Sequence, residues 1–439
     1  MAPGQIISLY EQISNSSCIL IQASRGAHIS PSNKIYYGWK IVVALFITLL
    51  FSSGLGFYNH TVVLQALVLE RGFSVTMAST AVSIFFLCSG LIGLQVAASL
   101  EKHDIRLVIC TGAVLASASL FSIGLVTQEW QVFLAYAVFG VGFAASGLLP
   151  ATTLVTRWFE ERRAIALSVA STGLSVGGIV VTPASALLLE QLGLTFSTRL
   201  FALVYLLGTV PLTLIILRSY PGDIGLQIDG GIEDADNHWV PSGTDYRDAI
   251  REKYFWGLSI SYLFLMLAQV GGIAHQFGLL SEKLEPELAV AALSVIPAAS
   301  ILGRLAGGVF VDRFGTGIFS LVMMLLQFIA LLSLGLADSI PVFLISLALF
   351  GITIGNLLML QPLLIAEVYG QISYSRIYGL SNLLTTFGVA LGPFLLGYIY
   401  SSDSSYVHAY VIASLAGLAG FIIYLTVKHL TDKSSQQKE

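Results

Sequence analysis

Charge is what this sequence has least of. Asp, Glu, Lys and Arg make up 10% of its 439 residues, against about a quarter in soluble domains, while hydrophobic residues reach 56%. So few charges cannot coat a water-exposed surface, which excludes an ordinary soluble protein. Cysteine is scarce too: Cys18, Cys88 and Cys110 form an odd set without metal-ligand spacing, so neither a disulfide framework nor a zinc site is expected. The net charge of -4 is small and the basic residues flank apolar segments, which leaves nucleic-acid binding without an electrostatic basis. His-Glu-x-x-His, paired carboxylates and a Ser/His/Asp set are all missing from the apolar stretches. An intramembrane enzyme would lack its nucleophile or base, and no cofactor is expected. The N-terminal stretch has no basic region ahead of its apolar patch Cys18-Ile19-Leu20-Ile21, so it reads as a cytoplasmic tail rather than a cleavable signal peptide.

What the chain does have is long apolar runs separated by short polar breaks. A bilayer crossing needs about 20 mostly apolar residues. On that measure the sequence predicts twelve membrane helices, near 40–64, 77–99, 107–126, 131–154, 165–190, 198–218, 255–279, 288–310, 317–337, 341–365, 377–399 and 408–428. The fold class is thus an all-α membrane protein of two six-helix halves. The expected organisation is a cytoplasmic tail over 1–35, a first half over 36–218, a polar cytoplasmic loop over 219–253, a second half over 254–428 and a tail over 429–439. Placing both termini in the cytoplasm leaves only Arg71, Arg199 and Lys283 in outer loops and Arg304 inside a span, with the rest of the 21 basic residues on the cytoplasmic side. That is the orientation expected of an integral protein of the plasma (inner) membrane. The halves echo one another: Tyr37-Gly38-Trp39 enters the first helix and Tyr254-Phe255-Trp256 the seventh, and each helix carries a histidine toward its outer end, His60 and His275.

Three stretches carry a family resemblance. Gly303-Arg304-Leu305-Ala306-Gly307-Gly308-Val309-Phe310-Val311-Asp312-Arg313-Phe314-Gly315 resembles the cytoplasmic-loop signature of the major facilitator superfamily. Thr156-Arg157-Trp158-Phe159-Glu160-Glu161-Arg162-Arg163-Ala164, leading into Ser171-Thr172-Gly173, is similar to the basic loop and Gly-rich fifth helix of the monocarboxylate transporter family. Tyr378-Gly379-Leu380-Ser381-Asn382 in the eleventh helix is similar to that family and to the oxalate/formate exchangers. The resemblance implies twelve helices in two pseudo-symmetric halves, alternating access, and a small carboxylate as cargo. It also implies a conformational gate at Asp312, Arg313, Arg162 and Arg163.

Arg304 is the leading candidate for binding. It lies eight residues before the boundary residue Asp312, about 12 Å into a core roughly 30 Å thick, where an unpaired charge costs at least about 2.5–3.5 kcal/mol. A guanidinium there is suited to grip a planar carboxylate through two parallel hydrogen bonds. The resemblance places a substrate-binding Arg in this helix, but the Asp that animal-type members carry one turn earlier is Ser300 here, and their first-helix Lys is Asn59. No Asp or Glu falls clearly inside an expected span, so His60 and His275 are the candidate proton carriers. The eleventh helix contains no Lys or Arg, so one buried positive charge favours a monocarboxylate over a dicarboxylate. Tyr136, Asn356, Gln361, Tyr378 and Asn382 are candidates to hydrogen-bond the rest of the solute. The expectation is a secondary transporter of a small organic anion, driven by proton symport or by exchange; efflux of drugs or another solute, and a non-transporting sensor, are the alternatives. Nothing in the sequence identifies an accessory subunit.

Overall fold

The structure, a computed structural model, describes residues 36–230, 242–292, 294–403 and 405–436. The expected N-terminal tail with Cys18, the middle of the central loop at 231–241, and the last three residues lie outside the described residues.

Among the described residues, eleven helices are long and apolar enough to cross a membrane. One of them, Arg163–Ile216, has 54 residues, about 81 Å of helix, far more than a core of about 30 Å can hold. Gly193 divides it. Its φ of 71° and ψ of 170° suit a residue without Cβ, and the amide of Leu194 that the break frees donates to the Glu70 carboxylate at 2.9 and 3.0 Å. The stretch is therefore two spans, 163–192 and 194–216, and the total is twelve, six before and six after the central loop.

Each half has its own apolar core. Phe85, Tyr136, Phe139, Phe201 and Tyr205 belong to the first, and Leu331, Phe343, Phe350, Leu396 and Tyr410 to the second. Large apolar side chains also point outward along the spans: Leu302, Phe394 and Ile215 are about 70% exposed, at 70%, 71% and 69%. In water such a surface would aggregate; in a bilayer it is the lipid-facing belt.

Breaks within spans follow glycine, proline and the histidine echo. The first span runs over Tyr37–Tyr58, its last six residues as a π-turn, and resumes beyond Asn59 as His60–Arg71. The seventh runs over Lys253–Ala274 and resumes beyond His275 as Gln276–Lys283. Both first pieces are 22 residues long, so the repeat read from Tyr-Gly-Trp and Tyr-Phe-Trp extends to where each helix gives way. The fourth span breaks at Gly147, and Pro150, which has no N–H to donate, sits in the first turn of its second piece, Leu148–Trp158.

The eighth span departs from the expected 288–310. A separate short helix covers Pro286–Ala292, and the long helix is Val295–Phe314, with Pro297 in its first turn. Pro297 cannot extend the hydrogen-bond ladder backward, so hydropathy joined two elements that the backbone separates.

Candidate functional site

Arg304 is the tenth of 20 residues in the eighth span, about 15 Å from either helix end. It is 2% exposed and does not face lipid. Nε donates to the carbonyl of Gly355 in the tenth span (Ile340–Tyr369) at 2.9 Å, and Nη1 donates to the carbonyl of Ser171 in the fifth. Among the described residues no carboxylate forms an ion pair with it. In return the Ser168 hydroxyl donates to the Arg304 carbonyl at 2.5 Å. This close approach depends on Gly308, where an added Cβ would lie 2.7 Å from Ser168 Cβ; Gly355 does the same for the tenth span against the eighth, where an added Cβ would collide with the Ser300 carbonyl oxygen.

Two other expected residues share this place. Ser300, one turn before Arg304, is 2% exposed and its hydroxyl has no partner. Asn356 donates to the carbonyls of Gly303 and Ile352, both at 2.9 Å, tying the eighth and tenth spans together. Tyr58 was not among the sequence candidates. It ends the π-turn, is 38% exposed although its chain neighbour Asn59 is 1% exposed, packs against Gly178, and lies within electrostatic reach of Arg304. Its signal was its place beside Asn59 and His60; helical periodicity hid it, because a π-turn rotates the face that side chains present.

The remaining candidates fall elsewhere. His60 is enclosed by the rings of Phe85, Phe86, Tyr136 and Phe139 at 4.4–6.1 Å, inside the first half's own core, and its Nε2 has no hydrogen-bond partner. Asn59 is buried beside it with both amide atoms unpartnered. His275 sits at the seventh-span break and donates from Nε2 to the carbonyl of Pro393 at 2.9 Å. Gln361 donates to the hydroxyls of Ser381 and Thr385, both at 2.9 Å, and Tyr378 stacks on Tyr374. Asn382 is partly exposed on the eleventh span, its carbonyl accepting the Thr386 hydroxyl.

The residues expected to form a gate make backbone and ring contacts. Among the described residues the ion pair that joins the halves is Arg376 Nε to Glu101 Oε2 at 2.7 Å, between the eleventh and second spans. Asp312 instead accepts a weak hydrogen bond from the Ile165 amide at 3.4 Å. Arg313 lies over the Phe314 ring, and Arg163 donates to the Phe159 carbonyl within its own loop. Arg162 precedes the fifth span as its N-cap residue. Thr153 and Ser375 add a hydroxyl contact at 3.3 Å. These contacts lie toward the end of the bundle that carries the loops at 102–106, 159–163 and 370–376, called the basic end below. At the opposite end, Glu70 and Arg71 bond within the first half, and Glu282 and Lys283 within the second.

The chain has close counterparts. Residues 46–368 and 272–439 match the family described as Major Facilitator Superfamily. "MFS transporter asaE" of Aspergillus flavus is 24% identical over 333 residues, 75% of this chain and 72% of that protein. Monocarboxylate transporter 12 of Rattus norvegicus is 25% identical over 346 residues, 72% and 70% of the two chains. Others at similar identity bear the names of fungal efflux proteins and of a yeast riboflavin transporter. Among solved structures, FucP in its outward conformation superposes with a TM-score of 0.69 at 16% identity, covering 88% of this chain and 97% of that one. Twelve spans in two echoing halves and a family match over most of the length lead to one conclusion: the chain belongs to the Major Facilitator Superfamily and is a membrane transporter.

Proposed function

We propose that the cargo is a small organic anion, a monocarboxylate in the simplest case, and that Arg304 is its anchor. The observation that carries this reading is a guanidinium buried at mid-bundle, where the halves meet, with no acid beside it among the described residues. Backbone carbonyls satisfy part of its fork but leave its charge uncompensated, and a carboxylate supplies that charge in the right geometry. Ser300, Ser171 and Tyr58 stand around the anchor as groups that a bound carboxylate can reach. The monocarboxylate transporter among the relatives supports the same reading.

In this mechanism the halves rock about the bound anion. The Glu101–Arg376 pair, the Asp312–Ile165 contact and the Arg304–Ser171 bond close the basic end and break when it opens. The basic end is the cytoplasmic one, with both termini there in the plasma (inner) membrane. Proton symport or anion exchange supplies the driving force. His275, partly exposed at a helix break, is better placed to carry a proton than His60, whose ring is enclosed by Phe85, Phe86, Tyr136 and Phe139, surroundings that disfavour a charge.

Uptake of labelled lactate, pyruvate, formate and oxalate into proteoliposomes under an imposed pH gradient tests the reading. Saturable uptake of a monocarboxylate, abolished in Arg304→Ala, is the expected result. A second reading, efflux of a larger metabolite, is favoured by the names of several relatives. Flux of such a solute that carboxylates do not inhibit and Arg304→Ala does not slow would establish it instead.

A further inference from the structure

A polar cavity lies at the basic end of the seam, and neither Arg304 nor Ser300, Ser171 or Tyr58 lines it. Its volume is about 320 Å³, and it is lined from the first half by Glu101, Thr153, Thr156 and Arg157, from the start of the central loop by Tyr220, and from the second half by Gln371, Tyr374 and Ser375. That volume is at the small end of ligand sites and suits a molecule of a few heavy atoms with some water.

Its walls carry unmet hydrogen-bonding capacity of both kinds. Arg157 is 7% exposed; Nη2 donates to the Leu100 carbonyl at 2.7 Å, and the guanidinium carbon sits 4.5 Å from the centre of the Tyr220 ring. Among the described residues, Nη1 is buried with no partner. Glu101 Oε2 is neutralised by Arg376, whereas Oε1 is also buried and, among the described residues, unpartnered. The hydroxyls of Thr153 and Thr156 already donate to the carbonyls of Leu149 and Thr152, and Thr153 also meets the Ser375 hydroxyl at 3.3 Å, so what these threonines have left to offer is acceptor capacity. The charge left uncompensated is that of Arg157. On the second-half wall, Tyr374 Oη and Gln371 Oε1 are likewise buried and, among the described residues, unpartnered. A ligand that meets these demands is a monoanion with oxygens for Arg157 Nη1 and the Tyr374 hydroxyl, and a hydroxyl of its own to give to Glu101 Oε1 or Gln371 Oε1.

We propose that this cavity binds a small hydroxylated monoanion, a 2-hydroxycarboxylate or monobasic phosphate, at a site distinct from Arg304, and that the bound anion holds the two halves together at the basic end. The occupant bridges Arg157 of one half and Ser375 of the other, so it strengthens the closed state of that end without being the anion in transit.

The test is thermal unfolding of the purified full-length chain titrated with sodium phosphate, with 2-hydroxypropanoate, with propanoate, which lacks the hydroxyl, and with sodium chloride. Saturable stabilisation by phosphate or by 2-hydroxypropanoate, stronger than that by propanoate or chloride, supports the site, and the more effective of the two names the source. The effect is expected to persist in Arg304→Gln, which separates this site from the transport site whatever becomes of the latter. In Arg157→Gln the half-saturating concentration should rise about tenfold or more, the loss of a charge-assisted hydrogen bond. Stabilisation by chloride equal to that by phosphate, or an unchanged response in Arg157→Gln, overturns the proposal and leaves a water-filled cavity. Should Arg157→Gln fail to fold, Ser375→Ala and Thr156→Val, which keep the buried charge, must each raise the half-saturating concentration, and no change in either is equally fatal.

Discussion

Arg304 Nη1 donates to the backbone carbonyl of Ser171, a hydrogen bond from the eighth span to the fifth and thus from one half of the bundle to the other. The group best suited to hold an anion is therefore also a fastener of the closed basic end. A carboxylate can accept from the N–H groups of Nη1 and Nη2 that the Gly355 and Ser171 carbonyls leave over, so under the proposed function the bound anion and the seam are held by the same group. Binding and opening are linked through one guanidinium.

Substitution at this residue separates charge from shape. Arg304→Lys keeps a cation but loses the planar fork that reaches Gly355 and Ser171 together, and it is expected to cut kcat/KM for anion uptake about tenfold or more. Arg304→Ala removes both and should abolish uptake. Wild-type kinetics in the alanine variant, measured on protein reconstituted at equal density, would remove the anchor.

The Glu101–Arg376 pair is a modest lock. Its side chains are 18% and 36% exposed, so water and salt screen it, and Glu101→Gln or Arg376→Gln should favour opening by about 1 kcal/mol at most, roughly fivefold in population. Spin labels at 103 and 372, in a background without native cysteines, read this as a longer-distance fraction. Reversing both charges should restore the original distribution; failure to do so would mean the effect is not pairwise.

How much of this was legible beforehand depends on the residue. Arg304 stood out because a charge in an apolar run is conspicuous in one dimension, and the structure keeps it buried and, among the described residues, without an ion pair. Glu101 and Arg376 did not stand out: each sits at the end of its own helix, and only packing of the second span against the eleventh makes them partners. Asp312 and Arg313, adjacent in the chain, point about 100° apart on their helix, and they meet different neighbours: the Ile165 amide and the Phe314 ring. His60 was expected in the pathway from its position along the first helix. Hydropathy gives depth but not azimuth, and the azimuth takes His60 into the ring of Phe85, Tyr136 and Phe139.

Gly308 should be intolerant of size. Valine there would press on Ser168 Cβ, already 2.7 Å from an added Cβ, and would force apart the fifth and eighth spans where the halves touch. Overpacking of this kind costs about 1–3 kcal/mol, charged here to the closed state. Gly308→Val is expected to retain its helical circular dichroism while transport falls about tenfold; transport at the wild-type rate would show that the seam does not close at this point.

Acid should weaken one loop in a defined window. Asp104 caps the third span by accepting the Arg106 amide at 2.9 Å, pairs with the Arg106 side chain at 2.6 Å and accepts the Ser219 hydroxyl at 3.0 Å. The hydrogen bond from Arg106 is the main cause of a carboxyl pKa lowered from 3.8 to about 2. A group depressed on folding stabilises above its unfolded value, so this contribution is complete above about pH 4 and is lost as pH falls toward 2. Asp104→Asn should unfold at a lower temperature than wild type at pH 6, with the gap narrowing between pH 4 and 2. A gap that does not change with pH would rule out the ionised carboxylate as its source.

His275 offers two roles that one pair of variants can divide. Its Nε2–H holds the Pro393 carbonyl and so joins the seventh-span break to the eleventh span, a job that a neutral amide can also perform. Proton carriage needs a group that titrates near neutrality, which glutamine does not. If the histidine only braces the break, His275→Gln should keep coupled transport and His275→Ala should lose stability along with it. If it carries the coupled proton, both variants should still exchange labelled anion across the membrane, yet neither should acidify or alkalinise the vesicle lumen as anion moves down its gradient. The proposed mechanism expects the second pattern for symport. Proton movement that persists in the glutamine variant, followed with a pH-sensitive dye trapped in the lumen, assigns His275 to architecture and leaves exchange as the driving force.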